Sequence, residues 1–153
     1  MYAPKEAQAD FGLYWIAVAV LVIISASAVL SISFQNGLTY FMIQQSSAEL
    51  TGVVIDRDIN AVTYTYTDAT GREATARYVE NSLTDQPVRV GQAVILAYNP
   101  RFPEYIYPKS QLEFIEYDYY FALASIAAIL IALLVAALAF VLHIRFIIRM
   151  RNY

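Results

Sequence analysis

FGLYWIAVAVLVIISASAVLSISF, residues 11–34, and YYFALASIAAILIALLVAALAFVL, residues 119–142, decide how this chain is built. Neither run contains Lys, Arg, Asp or Glu. At a rise of about 1.5 Å per residue, each is long enough as a helix to cross a hydrocarbon layer roughly 30 Å thick. Between them the hydrophobic period shortens to two, the repeat of a strand. This layout predicts an α+β membrane protein, with two transmembrane helices flanking a small antiparallel β barrel or sheet of four to five strands.

With 153 residues in all, the spans leave room for one small extramembranous domain. The expected segments are a tail over 1–10, a first helix over 11–34, and a linker or helix extension over 35–47. A β domain over 48–112, an acidic linker over 113–118, a second helix over 119–142 and a basic tail over 143–153 follow. A domain of about 60 residues is marginal alone, because it buries a small share of its surface. Tethers at both ends or a partner subunit would support it. There is no Cys, hence no disulfide and no thiolate chemistry.

The placement of charge says more than the net −3. Arg145, Arg149 and Arg151 follow the second span without an acid among them, whereas the middle section is rich in acids. Basic residues close to a span stay in the cytoplasm. The three arginines are therefore the expected topology anchors, with both termini inside and the β domain outside. One competing reading is a cleaved leader, since Ala26-Ser27-Ala28 resembles a signal-peptidase site. Against it, the preceding Lys5 is offset by Glu6 and Asp10, and the apolar run continues through Ser31 and Ile32. The domain lies outside in either case.

Tyr14 and Trp15 open the first span, and Tyr117, Tyr119 and Tyr120 precede or open the second; both sets suit a headgroup interface. Ala124, Ala128, Ala132 and Ala136 recur at four-residue spacing and form the candidate helix-packing face. Small residues let helices approach closely in lipid, within one chain or in a homo-oligomer. Ala is also simply common in such helices. No ionisable residue sits mid-span, which argues against an ion pathway made by one chain.

In the middle section, Val62, Tyr64 and Tyr66 alternate with Thr63, Thr65 and Thr67, the pattern of a half-buried strand. Asp68 to Gly71 supplies a turn, and residues 72–79 return as the hairpin partner. Gly52-Val53-Val54-Ile55 precedes this hairpin as a first strand. Residues 93–98 are apolar on both faces and read as a central, most buried strand. Pro100, Pro103 and Pro108 leave space for a short edge strand over 104–107.

These residues carry a resemblance. The order Gly52-Val53-Val54, Tyr64-x-Tyr66-x-Asp68-x-x-Gly71, Val90-Gly91-x-x-Val94 and Tyr98-Asn99-Pro100-x-x-Pro103 is similar to the bacterial family known as domain of unknown function 3592. The most specific piece is the last. The resemblance implies a membrane-tethered β domain and carries no established activity, so it transfers no catalytic residue. Gly91 suits a tight turn into a strand, and Pro100 and Pro103 a rigid exit from it.

The residues that could carry chemistry all have structural readings. His143, the single His, stands at the end of the second span and reads as an interfacial anchor. A chain with one His and no Cys has no soft metal site. Asp56-Arg57-Asp58 matches an Asp-x-Asp pattern but lacks the large α/β domain that nucleotide-sugar enzymes use, so a charged hairpin turn is the better reading. Glu113, Glu116 and Asp118 match no defined Ca²⁺ loop. No Gly-rich phosphate loop is present. An acidic domain would repel nucleic acid. No cofactor is expected.

What remains is surface. Of the 13 Tyr, Tyr105 and Tyr107, set among prolines, are the candidate partner surface, because a rigid ring with one hydroxyl gives contact area at little entropic cost. The expectation is a non-enzymatic bacterial inner-membrane protein. Its partners would be membrane lipid and a protein of an envelope complex, which it serves as an accessory or scaffolding subunit. An immunity-type protein against a secreted or membrane-active toxin, and a small-ligand sensor or enzyme accessory, are the alternatives.

Overall fold

The computed structural model describes residues 5–59, 61–68, 70–79 and 88–151. The elements are α1 (Lys5–Gln45), β1 (Ala48–Arg57), β2 (Ala61–Thr67), β3 (Glu73–Val79), β4 (Ala93–Asn99), β5 (Phe102–Pro108), a single 3-10 turn (Lys109–Gln111) and α2 (Leu112–Arg151). The chain is α+β, with two long apolar helices flanking a five-stranded antiparallel sheet. It divides into two compact units, one of residues 1–34 with 121–153 and one of residues 35–120.

The helices reach further than the apolar runs. α1 continues through 35–45, so the segment after the first run is a helical extension. Residues 113–118 are the first turns of α2 and not a linker. Once a helix is nucleated, adding residues costs little, and Glu113 at the N-terminal end is favourable to the helix dipole.

The sheet order is β3-β2-β1-β4-β5, and every neighbouring pair is antiparallel. β1 is the central strand, paired to β2 on one side and β4 on the other. This corrects the expectation for residues 93–98. Although β4 is apolar on both faces, only one is covered, since Leu96 is buried while Ile95 is 54% exposed. A run of apolar residues marks a strand without saying which of its faces a small domain can cover.

Val54, Val62, Tyr64, Tyr78, Leu96 and Ile106 form the core, closed by Val88. Tyr78 of β3 meets Tyr107 of β5 with ring centroids 5.6 Å apart. Side chains from the two outermost strands thus touch, and the sheet is curled nearly into a barrel. Gly52 leaves room for a close approach inside the sheet: a Cβ there would lie 2.7 Å from Leu96 Cδ1 and 3.2 Å from the Thr65 carbonyl oxygen. Glycine inside a strand marks such close approaches.

Turns complete the domain. Asp68 Oδ1 accepts hydrogen bonds from the Thr70 N–H and hydroxyl and from the Arg72 N–H, which tightens the β2–β3 hairpin. These bonds hold its carboxyl below the usual range, the Thr70 hydroxyl contributing most. Gly91 adopts a φ of 83° ahead of β4, a conformation that an L side chain rarely takes. Its N–H donates to the Val54 carbonyl beside the irregularity in β1 between Val54 and Asp56.

Candidate functional site

In the helical unit α1 and α2 are antiparallel. Gly12 faces His143, and a Cβ on Gly12 would lie 3.3 Å from His143 Nδ1. Coverage recurs on both helices in steps of three and four. On α1 the covered positions include Gly12, Ile16, Ala19, Ile23, Ala26, Leu30 and Ser33; on α2 they include Ala122, Ser125, Ile129, Ala132, Ala136, Ala139 and His143. Extended from the Gly12–His143 contact, this spacing sets Ile16 at the level of Ala139, Ile23 of Ala132, Ile129 of Ala26 and Leu30 of Ser125. These four levels set a large side chain against a small one, while the same spacing sets Ala19 at the level of Ala136 and Ser33 at that of Ala122, small against small; small residues let helix backbones approach closely.

Among the four alanines expected as a packing face, Ala132 is buried, Ala128 and Ala136 are half-buried, and Ala124 is exposed. The physical reason is angular. A step of four advances about 40° beyond a full turn of 3.6 residues, so a strict four-residue stripe winds off a seam whose average step is 3.5. Arg145 and Arg149 are exposed near the end of α2. The side chain of Arg151 lies outside those described.

Tyr105 and Tyr107 part company. Tyr107 packs against the core through Tyr78. Burial, the Tyr78 phenol and the Asp118 carboxylate push its pKa up to about 12. Tyr105 is half-buried and meets Phe102 edge-on, with centroids 6.5 Å apart. Phe102 itself is 45% exposed. Tyr64, deep in the core, has its pKa raised by burial and by Tyr66, Tyr78 and Tyr107.

A second apolar patch was not legible in the sequence. On the face opposite Val54 and Leu96, Val53 and Ile95 are diagonal neighbours across the β1–β4 pair, since Thr51 pairs with Ile95 and Val53 with Ala93. Both are more than two-fifths exposed. Their alternation with core residues could have signalled it, had the pairing been known.

Asn99, quoted above within its Pro-rich segment, also has a clear role. It is 2% exposed. Its Nδ2 donates to the Met42 carbonyl in the last turn of α1, while its Oδ1 accepts from the N–H groups of Arg101 and Phe102. One side chain thereby satisfies an orphan helix carbonyl and the β4–β5 turn. Asn36 Nδ2 donates to Asp118 Oδ2 at 2.7 Å and joins the two helices within the domain unit.

The acidic motifs are engaged locally. Asp58 is ion-paired to Arg77 at 3.4 Å and accepts from the Ile59 N–H. Arg57 donates to the Val88 carbonyl. Glu116 accepts from the Tyr120 hydroxyl, a different partner from that of Asp118. Among the described residues no three His, Asp or Glu side chains gather in a way that could hold a metal ion. Comparison of the chain with protein-family models, curated proteins and solved structures gives no match.

Proposed function

We propose that this chain is a non-enzymatic bacterial inner-membrane protein, with both termini cytoplasmic and the β domain outside, that acts by binding another protein of the envelope. The observation that carries the membrane part is the outward surface of the helices. In their most apolar windows only 11% and 17% of the residues are buried, and Leu21, Ile24, Ile32, Leu130 and Leu134 are all more than three-fifths exposed. Water would penalise so large an apolar surface, whereas lipid accepts it.

Two features support contact as the mode of action. The domain presents the exposed pair Val53 and Ile95 and the exposed Phe102 beside half-buried Tyr105 as apolar patches, and Asp68 and Asp58 are committed to a turn and an ion pair. The resemblance to domain of unknown function 3592 agrees with a tethered β domain. A periplasm-dependent reporter fused at Asp85, which lies outside the described residues, should be active, and one fused at Tyr153 silent; the reverse pattern overturns the orientation. A photo-crosslinking residue at Ile95 should capture a discrete membrane-fraction protein, in native cells, that one at Arg72 does not. Equal, diffuse labelling at both sites would sink the contact reading.

A further inference from the structure

The paired ends of the helices hold a feature that helix packing alone does not require. A cavity of about 540 Å³ opens beside Trp15 and Leu138 and runs to Leu142, His143 and Phe146. That volume falls within the range of roughly 300–1,000 Å³ usual for small-ligand sites. A second hollow of about 520 Å³ shares Leu142 and Phe146 with the first, and Arg145 and Arg149 line it. The two arginines stand four residues apart, hence on one helix face. Neither makes an ion pair with a described residue. His143 Nδ1 is buried at the adjoining seam and has no hydrogen-bond partner among the described residues.

An apolar hollow sharing a wall with a doubly cationic one matches one chemistry, an apolar chain joined to an anionic head. We infer that this end of the helix pair binds a single anionic phospholipid, its acyl chain beside Trp15 and its phosphate between Arg145 and Arg149. The inference rests on the reading that the helices lie in a membrane. A guanidinium is suited to phosphate because it offers paired, planar donors, and each basic residue at a membrane surface contributes about 1 kcal/mol toward anionic lipid, roughly a fivefold preference.

Trp15 is the only Trp in the chain, so its fluorescence reports this site alone. The full chain is placed in phosphatidylcholine nanodiscs containing increasing fractions of chain-brominated phosphatidylglycerol or chain-brominated phosphatidylcholine. Brominated phosphatidylglycerol should quench Trp15 along a curve that saturates at low mole fraction, several-fold more effectively than the zwitterionic lipid. Arg145→Gln and Arg149→Gln should each lower that preference about fivefold, and Arg101→Gln, on the β domain, should leave it unchanged. Excess inorganic phosphate should not displace the lipid. Equal quenching by both lipids, a linear unsaturated rise, insensitivity to the two arginines, or displacement by phosphate overturns the proposal. Quenching in nanodiscs made wholly of brominated phosphatidylcholine tests the membrane reading separately: its absence would defeat that reading, whereas its presence without a preference defeats only the lipid site.

Discussion

Gly52→Ala is the most discriminating single change in the domain, because two physical effects predict opposite signs. In a strand with room for a methyl group, replacing Gly by Ala stabilises by about 0.4–1 kcal/mol, since the unfolded chain loses freedom. At Gly52 the added Cβ would sit 2.7 Å from Leu96 Cδ1 and 3.2 Å from the Thr65 carbonyl oxygen. Leu96 is fully buried and cannot swing away, and the Thr65 carbonyl belongs to paired backbone. Overpacking of this kind costs roughly 1–3 kcal/mol. The clash should win, with a net loss of up to about 2.6 kcal/mol once the entropic gain is subtracted. Leu96→Ala alone should cost about 2–5 kcal/mol. In the double variant the truncated side chain makes room for the new methyl, so the combined loss should fall short of the sum by at least about 0.5 kcal/mol. The assay is urea-dependent protection of β4 amides from hydrogen exchange, on the full chain in mild detergent. Stabilisation by Gly52→Ala, or strict additivity of the two changes, would refute the close approach of β1 and Leu96.

Ala132→Leu should loosen the helix pair, read as lost crosslinking between Cys residues introduced at Gly12 and His143, while Ala124→Leu should leave it intact; equal effects would mean the seam is misplaced. Tyr107→Phe should flatten the alkaline loss of stability. The folded pKa of Tyr107, near 12, lies above the ordinary value of 10, so its contribution is complete below about pH 10 and is lost as pH rises toward about 12; unfolding midpoints of both proteins across that window check the sign. Asn99→Asp keeps the acceptor for Arg101 and Phe102 but sets a carboxylate oxygen against the Met42 carbonyl. It should destabilise the domain at neutral pH by about 1–3 kcal/mol, and less at pH 4 as the new acid protonates; an equal loss at both values would remove Met42 from the account.

The two helices, the strand-forming middle and the hairpin at Asp68 were legible in the chain itself, because each rests on local information. Twenty-four residues without a charge mark each helix, the Val62–Thr67 alternation sets a period, and Asp68 with Gly71 sets a turn. The arginines after the second span were equally plain, since a charge rule needs only position. Three things were decided by tertiary structure. Which strand is central depended on β4 returning to the free edge of β1, a long-range pairing that no local pattern encodes. Which face of each helix is covered depended on how Gly12, Ala19, Ala26 and Ser33, spaced by seven, mesh with a partner helix; apolar residues surround α1 on all sides, so hydrophobicity alone could not single out that face. Tyr105 and Tyr107 stand two residues apart in β5 and so share one side of the strand, and only the curl of the sheet determined that Tyr107 would meet Tyr78 while Tyr105 meets Phe102.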